Sequence, residues 1–373
     1  MKKDAHYYGI LAMARGCGFT KSSAHQIAYA SQYVDDAKVN HYILSGPVEG
    51  IECLEIINDK PSLFNVATSH DYTKINTYNY SAMINNTVAF HFVPECNGKS
   101  FARKLQCGEN SPVIKAVLTE AIEFDDPVRF GLVLHPYADT FAHAGFSGLL
   151  SKVNDIRDVQ IPLFSLPVNF FRFPVNLIKK LNHRLLDRWV DRLLPAYGHA
   201  QAWTYPDISH LNWKYKYDYT DDFSQRYKTL PVDNKDRYKR AFQNIKIWMD
   251  KFLDKHPSHK DNDIHFEKFD ELSEIITMFS YGKRRIGKLQ RFMIDNELFE
   301  YADYKILEYD KNLWQSDAFL YFYDKHFDKR KVENVKVKDT FVKSNLYNFF
   351  IATKWYKKQF HHHCAQNDLH ISM

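Results

Sequence analysis

A chain of 373 residues that is 45% hydrophobic and 16% aromatic can bury a large core and is too rich in Tyr and Phe to stay disordered. Its net charge of +5 is the small difference between 50 basic and 45 acidic residues, which by itself gives no electrostatic case for a nucleic-acid partner. Five cysteines, Cys17, Cys53, Cys96, Cys107 and Cys364, form no CxxC pair and an odd number, which argues against a disulfide framework and suits a reducing compartment.

The opening MKKDAHYYGILAMARGCGF is broken by Arg15 and polar residues and makes a poor signal peptide. No run approaches the roughly twenty apolar residues of a membrane span. These features predict a cytoplasmic protein, with export by a route needing no cleavable signal left open. Residues 4–15 read as a first helix, with His6, Gly9, Ile10 and Met13 on one face and a break at Arg15-Gly16-Cys17-Gly18. Thr20 or Ser22 can cap a second helix through Val39, whose inward stripe is Ala24, Ile27, Ala28, Ser31 and Val34. On that phase Asp35 falls beside the stripe and Asp36 roughly opposite, which gives Asp35 the buried role and Asp36 a solvent or cap role.

From 41 to 110 the pattern is irregular and predicts loops, short helices and at most one hairpin. Within it, His91 lies between two phenylalanines in VAFHFVPEC, just before Pro94. Helices are expected over 111–124 and 127–146. The second carries His135, Asp139 and His143, whose spacing of four residues gathers all three on one helical stripe. Imidazole and carboxylate on successive turns suit a cation such as Zn²⁺. The plainer alternative is a set of core histidines satisfied by hydrogen bonds, but three ionisable groups on one apolar-flanked face are costly to bury unpaired. Pro136 predicts a kink or a fresh start near 134–136.

Residues 161–178, IPLFSLPVNFFRFPVNLI, are too broken by proline to span a membrane and read as an apolar connector or a lipid-facing lip. An amphipathic helix over 176–194 and a short helix holding His199 follow, the latter ending near Tyr205-Pro206. Beyond Trp213 the chain turns to aromatic and basic amphipathic helices. Their clusters at Lys283–Arg285, Lys329–Lys331 and Lys354–Lys358 are expected to be solvated faces that could meet phosphates. His361 to Cys364 is expected to belong to a mobile tail. The predicted architecture is mainly α: a multi-helix domain over 1–213 with a metal site between helices, and a helical extension over 214–373, with packing of the two as one unit left open.

Taken in order, His6, Asp35, the HF-x-P context of His91, the H-x3-D pair with its following histidine, and His199 resemble the zinc-dependent phospholipase C and single-strand-specific zinc nuclease superfamily. The likeness is greatest to an uncharacterised bacterial branch that shares HYYGILAMARGCGF, ASQYVDDA, FHFVPE, HPYADTFAHAGFSG and YGHAQAWTYPD, and it covers about residues 4–213. The resemblance implies an all-α enzyme whose ligands would be His6, Asp35, His91, His135, Asp139, His143 and His199, with Asp139 able to bridge two ions. The chain departs from that pattern in three places. Met1 stands where the family has an N-terminal tryptophan, His143 follows the aspartate by four residues instead of six, and Trp203 stands where an acid follows the last histidine. These departures favour one or two zinc ions over three.

The expected chemistry is metal-dependent hydrolysis of a phosphodiester, phospholipid or nucleotide, by a metal-activated water, with Asp36 or Asp207 orienting the water or a ligand imidazole. Segment 161–178 would supply peripheral lipid contact, and a nucleic-acid substrate stays open. Two alternatives stand beside it: a metal-stabilised binding or interaction protein without turnover, and an HD-type phosphohydrolase built on His70-Asp71.

Overall fold

The computed structural model describes residues 1–46, 49–52, 54–64, 67–69, 79–161, 196–218, 228–322 and 331–371. The segment 162–178, the whole of the 176–194 helix, the His70-Asp71 doublet and Lys329-Arg330 lie outside the described residues.

The N-terminal element begins as a π-helical turn, Asp4–Gly9, and continues as an α-helix, Ile10–Gly16. The wider turn changes the phase around His6, and every residue from Asp4 to Gly16 is buried, so no single face is set apart as the 3.6-residue period had predicted. Gly18, at φ +94°, reverses the chain into the second helix, Lys21–Asp36, whose cap is Thr20: its side chain accepts from the Ser23 backbone N–H. Helix Pro112–Ala121 is capped by Ser111, and helix Pro127–Ala142 by Asp126, with proline at its first position in both cases. The helix does not begin afresh at Pro136; Pro127–Ala142 continues through it.

That helix is the centre of the molecule. It packs most extensively on Lys21–Asp36, and helices Asn234–Lys255 and Asn345–Gln366 also lie against it. Gly131 makes the closest approach possible: a Cβ there would run into the Ile27 carbonyl of the second helix. The last two helices come from the C-terminal portion, and one hydrophobic cluster runs from Met1 to Ile371. Trp314 lies on Tyr29 with ring centroids 4.2 Å apart, and the Tyr356 hydroxyl donates to the Ala89 carbonyl at 2.5 Å.

The fold is nevertheless mixed α and β, which corrects the mainly α expectation. Seven short strands are present among the described residues: β1 (His41–Leu44), β2 (Leu54–Ile57), β3 (Lys60–Leu63), β4 (Ile156–Gln160), β5 (Asn212–Tyr217), β6 (Thr229–Asp233) and β7 (Lys331–Val335). They form a four-stranded sheet in the order β2-β3-β1-β7 and an antiparallel three-stranded sheet in the order β4-β5-β6. β1 pairs in parallel with β7, from the far end of the chain, a contact that no local pattern announces. β5 does carry a signal: in NWKYKY, Trp213, Tyr215 and Tyr217 are buried while Asn212 and Lys214 are exposed. The 213/214 division falls inside this strand.

Two further expectations change. Arg285 turns inward from the basic cluster at 283–285, buried with its guanidinium 3.2 Å from Asp4 and donating to Ser209 and the Ser280 carbonyl. The His361–Cys364 run is the end of helix Asn345–Gln366 and not a tail, with His363 paired to Glu120 at 2.8 Å and Cys364 buried.

Candidate metal centre

Five separate segments deliver the polar side chains. His6 comes from the π-helical turn, Asp35 from the last turn of the second helix, and His91 from a short helix, Ala89–His91, that follows another π-helical turn, Met83–Val88. His135 and Asp139 project from Pro127–Ala142, and His143 is its C-terminal cap. His199 and Asp207 come from the 3₁₀ turns around Ala200–Ala202 and Tyr205–Asp207. Trp203, between these turns, takes φ +54° and ψ −132°, a region that costs a non-glycine residue about 1–3 kcal/mol. The reversal swings Asp207 back onto His199, so the acid missing at position 203 is supplied four residues later.

Among the described residues three groups have ligand atoms within 4.8 Å of one another: His6, Asp35 and His135; His91, His135 and Asp139; His143, His199 and Asp207. The second is a compact triangle. His91 Nδ1 lies 3.3 Å from His135 Nε2, and Asp139 Oδ2 lies 3.3 Å from the first and 3.4 Å from the second. Four ligands at about 2.0 Å around a tetrahedral ion would be separated by about 3.3 Å. Asp35 Oδ1 stands 3.9 Å from His91 Nδ1 and 3.7 Å from His135 Nε2, next to this triangle. The other oxygen of Asp139 faces away from it, 3.1 Å from His6 Nε2 and 2.5 Å from the Met1 α-amino nitrogen. In the third group Asp207 Oδ1 is 3.0 Å from His143 Nε2, and its Oδ2 is 3.6 Å from His199 Nε2.

The far side of each ring explains what the near side offers. His135 Nδ1 meets the Ser31 carbonyl at 2.8 Å, His91 Nε2 the Thr68 carbonyl at 2.8 Å, His143 Nδ1 the His91 carbonyl at 2.7 Å and His199 Nδ1 the Trp203 carbonyl at 2.6 Å. A carbonyl only accepts, so each of those nitrogens carries the proton, and in a neutral ring the other nitrogen is a lone pair. Four lone pairs therefore face carboxylate oxygens or one another. Such an arrangement is stable only with extra protons or a cation between the groups. His6 adds a buried Nδ1 with no hydrogen-bond partner among the described residues.

Charge in the site is strongly biased. Burial alone would raise Asp139, but the Met1 ammonium and the His143, His6 and His135 rings outweigh it and hold the carboxyl well below its usual range. Asp207 is depressed in the same way, against burial, by the Met1 ammonium and by His199 and His143. The Met1 amine, which burial would deprotonate, is raised to about 11 by Asp139, Asp207 and Asp35. Burial pushes His199 down to about 4 and, with His135 and the Met1 ammonium, drives His6 well below the ordinary imidazole value. His91 goes the other way: its hydrogen bond to Asp139 and the charges of Asp35 and Asp139 overcome burial and raise it.

One consequence is measurable without metal. His199 and His25, the latter also pushed to about 4 by burial, refuse protons that the unfolded chain accepts near pH 6.5. Their contribution to stability is intact above about pH 6.5 and is lost as pH falls toward 4. The expected slope is on the order of 1.4 kcal/mol per pH unit for each such ring. Denaturant melts with chelator at pH 7.5 and pH 5 should show the loss; equal stability at the two values would contradict it.

The structure brings together His6, Asp35, His91, His135, Asp139, His143, His199 and Asp207. It does not bring in Asp36, whose carboxylate accepts from Gln32 at 3.1 Å and from the Tyr309 hydroxyl at 2.8 Å. Asp36→Asn is thus expected to leave any zinc uptake within about twofold of the parent protein, whereas Asp35→Asn lowers it; elemental analysis of the two zinc-treated variants separates the neighbours. Sequence reasoning missed Arg237, which donates to the Ala142 and Ala144 carbonyls at 3.3 and 3.5 Å on either side of His143. It also missed Asn234, fully buried, which donates to the Tyr205 and Ile208 carbonyls around Asp207 at 2.6 and 2.9 Å. In the sequence both look like members of a solvated basic helix.

The chain belongs to a family of unknown function, DUF6765, whose profile matches residues 1–364. No curated protein and no solved structure matches it. No helix among the described residues is long and apolar enough to cross a membrane.

Proposed function

We propose that this protein is a metal-dependent phosphoesterase that hydrolyses phosphodiesters at a two-ion centre. The observation that carries the proposal is the triangle of His91 Nδ1, His135 Nε2 and Asp139 Oδ2, with edges of 3.3 to 3.4 Å and with both imidazoles fixed by backbone carbonyls so that their lone pairs point inward. The nitrogen and oxygen donor set suits zinc or a similar borderline ion. His135 is common to the first two groups and its Nε2 serves one ion, so those groups describe one position. His143, His199 and Asp207 describe the second, and the Asp139 carboxylate lies between, with His143 Nδ1 3.6 Å from its Oδ2.

Bound ions would supply positive charge that acidifies a water and neutralises charge on phosphoryl oxygens. The chain's own residues prepare that chemistry. Asp139, kept ionised in a buried site, balances the cations. The carbonyls of Ser31, Thr68, His91 and Trp203 hold each ring in the tautomer and orientation that a cation needs. Asp35, with 32% of its side chain exposed, is the most open of the acids. The order of these residues along the chain, and its likeness to zinc phospholipases and nucleases, supports the same reading.

The test is turnover of a phosphodiester panel, phospholipids and nucleotides included, by zinc-loaded protein and by His135→Ala. Activity that is present in the parent and lost in the variant supports the proposal. Metal bound tightly with no turnover of any panel member would favour a metal-stabilised binding protein.

A further inference from the structure

The helix Asn234–Lys255 sends one stripe of side chains toward the site at intervals of four residues. At one end Asn234 holds the turn that carries Asp207. Two turns on, Phe242 lies against Gly9, where a Cβ would come within 2.7 Å of its ring, so this end of the stripe packs on the segment that carries His6. Tyr238 stands between them. It is 1% exposed, and its hydroxyl has no hydrogen-bond partner among the described residues. Burial, and then the charges of Asp207, Asp4 and Asp139, push its pKa well above the ordinary phenol value, so the group keeps its proton.

A buried hydroxyl without a partner is expensive, on the order of 1–3 kcal/mol. Tyr238 needs an acceptor that the described residues do not supply, and the carboxylates of Asp207, Asp4 and Asp139, whose charges raise its pKa, do not accept from it. Resting on the metal-centre reading above, we infer that the Tyr238 hydroxyl is a substrate-binding donor, placed to hydrogen-bond an oxygen of a phosphoryl anion held at the centre. Tyrosine suits this role because the phenol donates a hydrogen bond while remaining neutral, and its rigid ring loses little freedom on binding.

The experiment compares zinc-loaded parent and Tyr238→Phe, which keeps the ring and removes only the hydroxyl. Three quantities are measured: metal content, melting temperature with chelator, and affinity for inorganic phosphate by calorimetry. The expected result is equal metal content, a melting temperature unchanged or raised, and phosphate binding weaker by roughly tenfold or more. Equal phosphate affinity in the two proteins, or metal uptake by the parent with no phosphate binding, overturns this inference alone. A melting temperature that falls in the variant also overturns it, because the hydroxyl then has a structural partner. A parent that takes up no metal overturns the metal-centre reading, and this inference with it.

Discussion

Asp139→Ala is expected to abolish metal binding and to lower phosphodiesterase turnover on the order of a thousandfold or more. Asp139 reaches across the site: one carboxylate oxygen meets His6 and the Met1 amine, and the other meets His91, His135 and His143. Removing it leaves the Met1 ammonium with Asp207 as its remaining close partner, at 3.2 Å, in a buried site. Loss of one partner of a buried charged set costs about 3–5 kcal/mol, so the metal-free variant should also be less stable. Asp139→Asn separates the two effects, since it keeps the shape and some hydrogen bonding but not the charge. It should fold, and it should still fail to hold metal. Wild-type metal content in Asp139→Asn would show that this carboxylate is not a ligand.

Gly131→Ala is expected to destabilise the protein by about 3 kcal/mol and to weaken metal binding, although residue 131 touches no ligand. The added methyl would collide with the Ile27 carbonyl, which is backbone and cannot rotate aside. The Lys21–Asp36 and Pro127–Ala142 helices would have to separate. Asp35 rides on one and His135 and Asp139 on the other, so the separation opens the cluster directly. A chemical melt together with a zinc titration checks both parts. A variant as stable as the parent would mean that the helices do not approach as closely as described.

The site residues were more legible in the sequence than the fold was. His135, Asp139 and His143 announce themselves because helix geometry turns a spacing of four into a shared face. Asp35 could be told from Asp36 by phase alone. Asp207 could be named but not given its position, because that depends on a left-handed backbone at Trp203 that no propensity predicts for tryptophan. Beyond the one hairpin expected within 41–110, where β2 and β3 pair, the sheets were missed for a different reason. Their strands are four to six residues long, and β1 pairs with β7 from the far end of the chain, beyond the reach of any local pattern. Arg285 sits in a basic cluster that reads as a solvated face, and only tertiary packing shows that it faces inward.

The central claim is that buried imidazole lone pairs and carboxylates face one another because cations belong between them. Elemental analysis of protein purified without a histidine tag or chelating column tests it most directly. The expected result is close to two equivalents of zinc or a similar divalent ion per chain, lost in His135→Ala and Asp139→Ala. A folded protein carrying almost no metal, and taking none up when zinc is supplied, would contradict it.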